Sequence, residues 1–101
     1  MKTSKHTLYL SSKADDDLKG IYNYVAYFLY NIPAAQALLN KFDAAFERVE
    51  AFPESCSFDK IEKNYRTLIV DNYIAFYKIE NDGLIRVYRI LYGKMDLEKN
   101  L

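Results

Sequence analysis

The spacing of apolar residues changes character along the 101-residue chain, and each change marks an element. From Tyr65 to Asp96 the pattern approaches period two, in segments rich in Val, Ile, Tyr and Phe, the residues that suit a pleated, half-buried surface. Asp71-Asn72 and Asn81-Asp82-Gly83 break it at hairpin spacing, which predicts three antiparallel strands joined as a meander. In the middle strand, Tyr73 to Glu80, alternation places Tyr73, Ala75, Tyr77 and Ile79 on one face and Ile74, Phe76, Lys78 and Glu80 on the other. Both faces carry apolar groups. A sheet wet on one side alternates more cleanly, so the second face is expected to be covered too, by the chain's own terminus or by a partner.

Upstream the period is helical. Ser12 is expected to cap a first helix, its hydroxyl accepting from the Asp15 amide, and Leu18, Ile21, Tyr22, Val25 and Leu29 follow the spacing of one helical face. Pro33 disfavours helical backbone at Ile32 and suits the first turn of the next helix, which runs from Ala34 to Ala51. Its apolar face is Leu38, Phe42, Ala45, Phe46 and Val49, and Ala34, Ala35 and Ala37 permit close approach of the first helix. Phe52-Pro53 ends it, and Glu54 to Asn64 is a polar connection. His6 to Leu10 forms a short strand added to the meander's edge, Gly93 turns the chain, and Asp96 to Leu101 forms one frayed helical turn. The predicted fold is α+β in the order β-α-α-β-β-β: an N-terminal strand, an α-helical hairpin and a three-stranded antiparallel meander, with the helices packed on one sheet face. Residues 1–101 make a single domain.

Charge narrows the function classes. The 14 basic and 14 acidic residues balance, which argues against non-specific binding of nucleic acid over the whole surface. The meander is mildly basic: Arg66, Lys78, Arg86, Arg89 and Lys94 stand against Asp71, Glu80 and Asp82. Cys56 is the single cysteine, so neither an intrachain disulfide nor a multi-thiolate metal site is available, and a reducing cytoplasm fits. No apolar run has signal-peptide or membrane-spanning length.

Few groups stand out for chemistry. His6 is the single imidazole and reads as an exposed strand residue. Asp15, Asp16 and Asp17 point about 100° apart on a helix and complement its positive end better than they would hold a metal. Cys56 has no His or Lys near it in sequence and reads as a structural or merely exposed thiol. Most of the 10 tyrosines fall at core spacing, but Tyr24, Tyr27 and Tyr30 lie off the first helix's stripe, as a protein-contact surface would. Arg66, Arg89, Tyr92 and Lys94 are the best candidates for binding phosphate or carboxylate, because the outer strands of a meander can bring them to one end of the sheet.

The helical hairpin closing at Phe52-Pro53, the Y-R at Tyr65-Arg66, the N-Y-x-x-F-Y at Asn72 to Tyr77 and the R-I-L-Y-G-K-x-D at Arg89 to Asp96 together resemble the RelE/ParE superfamily of bacterial toxins over nearly the whole chain. The resemblance implies a toxin of a type II toxin–antitoxin system, silenced by a cognate antitoxin that wraps the groove between helices and sheet. It implies no cofactor and no metal. Members of the superfamily either cut mRNA in the ribosomal A site, as RelE does, or poison DNA gyrase, as ParE does. Where nuclease members carry an arginine after the middle-strand tyrosine, this chain has Ile74, and Leu91 and Met95 stand where others have a histidine and a basic residue. A nuclease here would rely on Arg66, Arg89, Tyr92 and Lys94, and losing the central arginine costs several kcal/mol of transition-state stabilisation. The expectation is ParE-like inhibition of gyrase; the alternative is a RelE-like ribosome-dependent endoribonuclease acting on mRNA. The antitoxin is expected on the apolar second face, at Ile74, Phe76 and Leu91, and on Tyr24 and Tyr27 of the first helix.

Overall fold

A computed structural model describes residues 7–93; His6, Lys94, Met95 and the segment expected to form the C-terminal helical turn lie outside them. Strand β1 (Thr7–Leu10) leads into helix α1 (Ser12–Asn23), which continues as a π-helical turn (Tyr24–Phe28) before helix α2 (Ile32–Ala51). Strands β2 (Arg66–Val70), β3 (Tyr73–Ile79) and β4 (Leu84–Tyr92) follow. The sheet order is β1-β4-β3-β2. The last three strands are the expected antiparallel meander, and β1 joins its β4 edge as expected, but parallel, so the sheet is mixed. Short turns force antiparallel neighbours, whereas β1 reaches the sheet only through two helices, which leaves its direction free.

One core unites helices and sheet. Leu38, Phe42, Ala45, Phe46 and Val49 of α2 pack with Ala14 of α1 and with Leu68, Val70, Ala75, Tyr77, Ile85, Val87 and Ile90 of the sheet, and Leu18, Ile21 and Val25 close its margin. All five residues of the expected α2 face are buried. Leu29 is not part of the α1 stripe: the π-helical turn, in which the Leu29 amide donates to the Tyr24 carbonyl at 2.9 Å, rotates it outward.

The cap of α1 is Ser11, one residue before the expected Ser12. Ser11 Oγ accepts from the Ala14 amide at 3.0 Å and donates to the Tyr88 carbonyl at 2.9 Å, while its own amide donates to the Val87 carbonyl at 2.9 Å. This is where β4 bulges: Tyr77 pairs with Val87 and Phe76 with Arg89, leaving Tyr88 as the extra residue. Helix α1 is therefore stitched to β4 at the bulge. Ser11→Ala is expected to cost about 1–2 kcal/mol in chemical denaturation and Ser12→Ala less than about 0.5 kcal/mol, because Ser12 is exposed and caps nothing.

The hairpin turns are as expected. Asp71 adopts a left-handed φ of 52° between β2 and β3, a conformation aspartate tolerates, and Gly83, with φ 78°, closes a 3-10 turn (Asn81–Gly83) before β4.

Candidate functional site

The described members of the predicted phosphate-binding group do not meet. Arg66 lies on the core face beside Tyr77, at the β2 end where the polar connection arrives. Its Nη1 donates to the Cys56 carbonyl at 2.6 Å and to that of Glu54 at 3.4 Å, and its guanidinium lies 4.2 Å from the Phe58 ring centroid. Tyr77, whose phenol burial pushes well above its ordinary pKa, donates to the Pro53 carbonyl at 2.7 Å. Both side chains pin the connection to the sheet. Cys56 takes part through its carbonyl, with its thiol half-buried.

Arg89 is on the opposite face, paired across from Phe76. Its Nε and Nη2 donate to the two oxygens of Asp17 at 2.8 and 3.1 Å, and the Ile90 amide donates to the same carboxylate at 2.9 Å. Hydrogen bonding to Asp17 raises the Arg89 pKa further above its ordinary value. Asp17 is thus a tether between α1 and β4 rather than a charge complement to its own helix; Asp15 instead pairs with Lys19 at 3.0 Å on the helix surface. Tyr92 stands near the far end of β4, its ring 5.6 Å from that of Tyr73 and 38% exposed. Arg66 and Arg89 on opposite faces, with Tyr92 several residues along the strand, present no common point to a phosphate.

The second face is covered by its own side chains at one end. Arg86 Nε donates to Tyr9 Oη at 2.7 Å and its guanidinium lies 5.0 Å from the Tyr9 ring and 5.6 Å from that of Tyr88. Tyr88 Oη donates to Glu80 at 2.6 Å, Tyr9 Oη donates to it at 3.3 Å, and Lys78 Nζ lies over the edge-to-face pair of Tyr65 and Tyr88, 5.4 and 5.8 Å from their rings. The Tyr88 hydrogen bond holds the Glu80 carboxyl below its ordinary range, and the same bond raises the Tyr88 phenol. Tyr88 is thereby held as a neutral donor to a carboxylate, not as a base.

Beside this lattice a cleft of about 440 Å³ opens between the start of α1, the connection and the sheet, lined by Ser12, Lys13, Glu62, Tyr65, Phe76 and Arg89 among others. Sequence reading did not group these residues, because the cleft joins three segments far apart in the chain and the bulge at Tyr88 puts two consecutive β4 residues on one face.

The residues expected to meet an antitoxin divide. Phe76 and Leu91 are only 2% and 8% exposed, so the second face is not left open there; Ile74 is half-buried. Its cross-strand neighbour Ile69 is 67% exposed. Tyr24 and Tyr27 are exposed at the end of the hairpin, with Tyr24 stacked on Phe28 at 5.1 Å and Tyr27 edge-on to Tyr22 at 6.3 Å.

Against known proteins, residues 8–97 match the family model described as the ParE toxin of the type II toxin–antitoxin system parDE. The chain belongs to the ParE toxin family. It is 30% identical over 93 residues to Toxin ParE1 of Mycobacterium tuberculosis, a match covering 91% of this chain and 94% of that protein. Among solved structures, the chromosomal ParDE toxin–antitoxin system of P. aeruginosa shares the fold with a TM-score of 0.75 at 18% identity, over 87% of this chain and 96% of the other. A chain of the RelBE2 toxin–antitoxin complex of Mycobacterium tuberculosis matches with a TM-score of 0.62 at 13% identity, over 88% of this chain and 99% of that one. The fold of this chain is therefore shared with chains of both complexes. Among the described residues, no helix is long and apolar enough to cross a membrane.

Proposed function

We propose that this ParE-family toxin is silenced by a cognate antitoxin and arrests growth in the cytoplasm by protein contact with DNA gyrase. The observation that carries the reading is the position of the two arginines: Arg66 and Arg89 are each engaged in holding the fold, on opposite sheet faces, whereas phosphoryl transfer needs converging charge. Antitoxin contact at Tyr24 and Tyr27 is supported by their exposure, and at Ile74 by its place beside exposed Ile69; at Phe76 and Leu91 a partner would first have to open the chain. The second reading, a ribosome-dependent endoribonuclease, draws on the cleft in which Lys13, Tyr65 and Arg89 meet.

The purified protein is expected to inhibit supercoiling by gyrase or to accumulate gyrase-cleaved DNA, with antitoxin restoring activity. Unimpaired supercoiling, together with codon-dependent cuts in ribosome-bound message, would transfer the assignment to the nuclease reading.

A further inference from the structure

The end of the helical hairpin carries more exposed apolar surface than an antitoxin contact at Tyr24 and Tyr27 accounts for. Tyr24, Tyr27, Phe28, Leu29, Tyr30 and Ile32 are all between 50% and 91% exposed. Large side chains of this kind present on the order of 150–250 Å² each when aromatic and somewhat less when aliphatic, so the six leave roughly 600–800 Å² of largely apolar surface in water. Single patches on monomeric proteins run to about 300–600 Å², and one side of a standard stable interface is about 800 Å². The hairpin end is at the scale of an interface.

Its backbone is specialised to present it. The π-helical turn widens the end of the first arm, and Tyr30 takes a left-handed φ of 54° with its ring 91% exposed. That conformation is unfavourable for a bulky residue, and among the described residues the 91% exposed ring finds little packing to offset it.

Charge selects the occupant. Residues 20–40, the whole hairpin end, contain no Asp, Glu, Lys or Arg in a chain that is 28% charged. A two-fold interface sets each patch against itself, so any net charge on it would face its own sign; an uncharged aromatic surface is self-complementary without that penalty. A bilayer surface would instead be expected to call for basic residues around the apolar tip, and residues 20–40 supply none. Aromatic side chains with few charges are also the composition of homodimer interface cores.

We propose that the hairpin end is a self-association surface through which two copies of this chain pair about a two-fold axis, with Phe28 and Tyr30 at its centre. The pairing needs neither antitoxin nor gyrase, and it stands or falls separately from the target assigned above. An antitoxin meeting Tyr24 and Tyr27 would compete with the second copy.

The test is sedimentation equilibrium of the full chain alone, with thermal melts to verify folding. The wild type is expected to be dimeric at micromolar concentration. Tyr30→Asp and Tyr30→Lys, at an exposed position, should each weaken the dimer by at least about 30-fold, the effect of disrupting an interface anchor, and an equimolar mixture of the two should recover a dimer. Phe28→Ser should weaken it comparably and serves if the Tyr30 variants fold poorly. A monomeric wild type at the highest soluble concentration overturns the proposal, as does a dimer indifferent to all three substitutions. A monomer that partitions onto neutral phosphatidylcholine vesicles through Phe28, or one whose hairpin variants lose only antitoxin affinity, likewise overturns it and assigns the surface to lipid or to the antitoxin.

Discussion

Replacing Asp17 with Ala is expected to destabilise the protein by about 3 kcal/mol, lowering Tm by roughly 12–24 °C, although Asp17 is one of three consecutive aspartates near the start of a helix. Its carboxylate accepts from Arg89 Nε and Nη2 and from the Ile90 amide, joining α1 to β4 across 72 positions of sequence. The side chain of Asp17 is 16% exposed and that of Arg89 34%. Breaking a fully buried pair costs about 3–5 kcal/mol; solvent reaching the guanidinium reduces that share, but the amide of buried Ile90 loses its acceptor as well, worth about 1–3 kcal/mol. Asp17→Asn keeps an acceptor oxygen and should lose about half as much. Asp15→Ala and Asp16→Ala should each stay within about 0.5 kcal/mol, since Asp15 pairs with Lys19 on the surface and Asp16 is exposed. Urea melts of the four variants decide the matter, and equal midpoints for the Asp16 and Asp17 alanine variants would show that the tether carries no weight.

That contrast also marks where sequence reading stopped. Periodicity suffices for the α2 face from Leu38 to Val49 and for the β3 alternation, because burial of one stripe or one face imposes a period that the residues must obey. It cannot single out Asp17 among three aspartates, because the partner is fixed by tertiary approach. It also cannot register the bulge at Tyr88, which breaks period two by putting Tyr88 and Arg89 on one face and so builds the cleft. Arg66 and Arg89 pair with Tyr77 and Phe76, adjacent residues of β3, and that adjacency puts the two arginines on opposite faces, which alternation alone could not tell without the register. The exposed hairpin tyrosines were legible as residues off the stripe, while the π-helical turn that turns Leu29 out with them has no mark in the apolar pattern.

Phe76→Ser is expected to cost about 3–5 kcal/mol of folding stability, a large fraction of the 5–15 kcal/mol typical of a small domain. Read from sequence, Phe76 lies on an apolar face on which the antitoxin is expected, so its replacement would report on the complex. In the structure it is 2% exposed within the single chain, beside Tyr65, Tyr88 and Arg89 at the floor of the cleft. Serine removes the ring, leaves a cavity, and buries a hydroxyl where Phe76 had only apolar atoms. Phe76→Leu keeps most of the volume and should lose under about 1.5 kcal/mol. By contrast, Ile69→Ser on the same face, at 67% exposure, should leave Tm nearly unchanged and is the substitution that reads antitoxin contact without disturbing the core. Thermal melts of the three variants separate the roles: a Phe76→Ser protein melting within about 3 °C of the wild type would mean that Phe76 is dispensable to the fold and free for a partner after all.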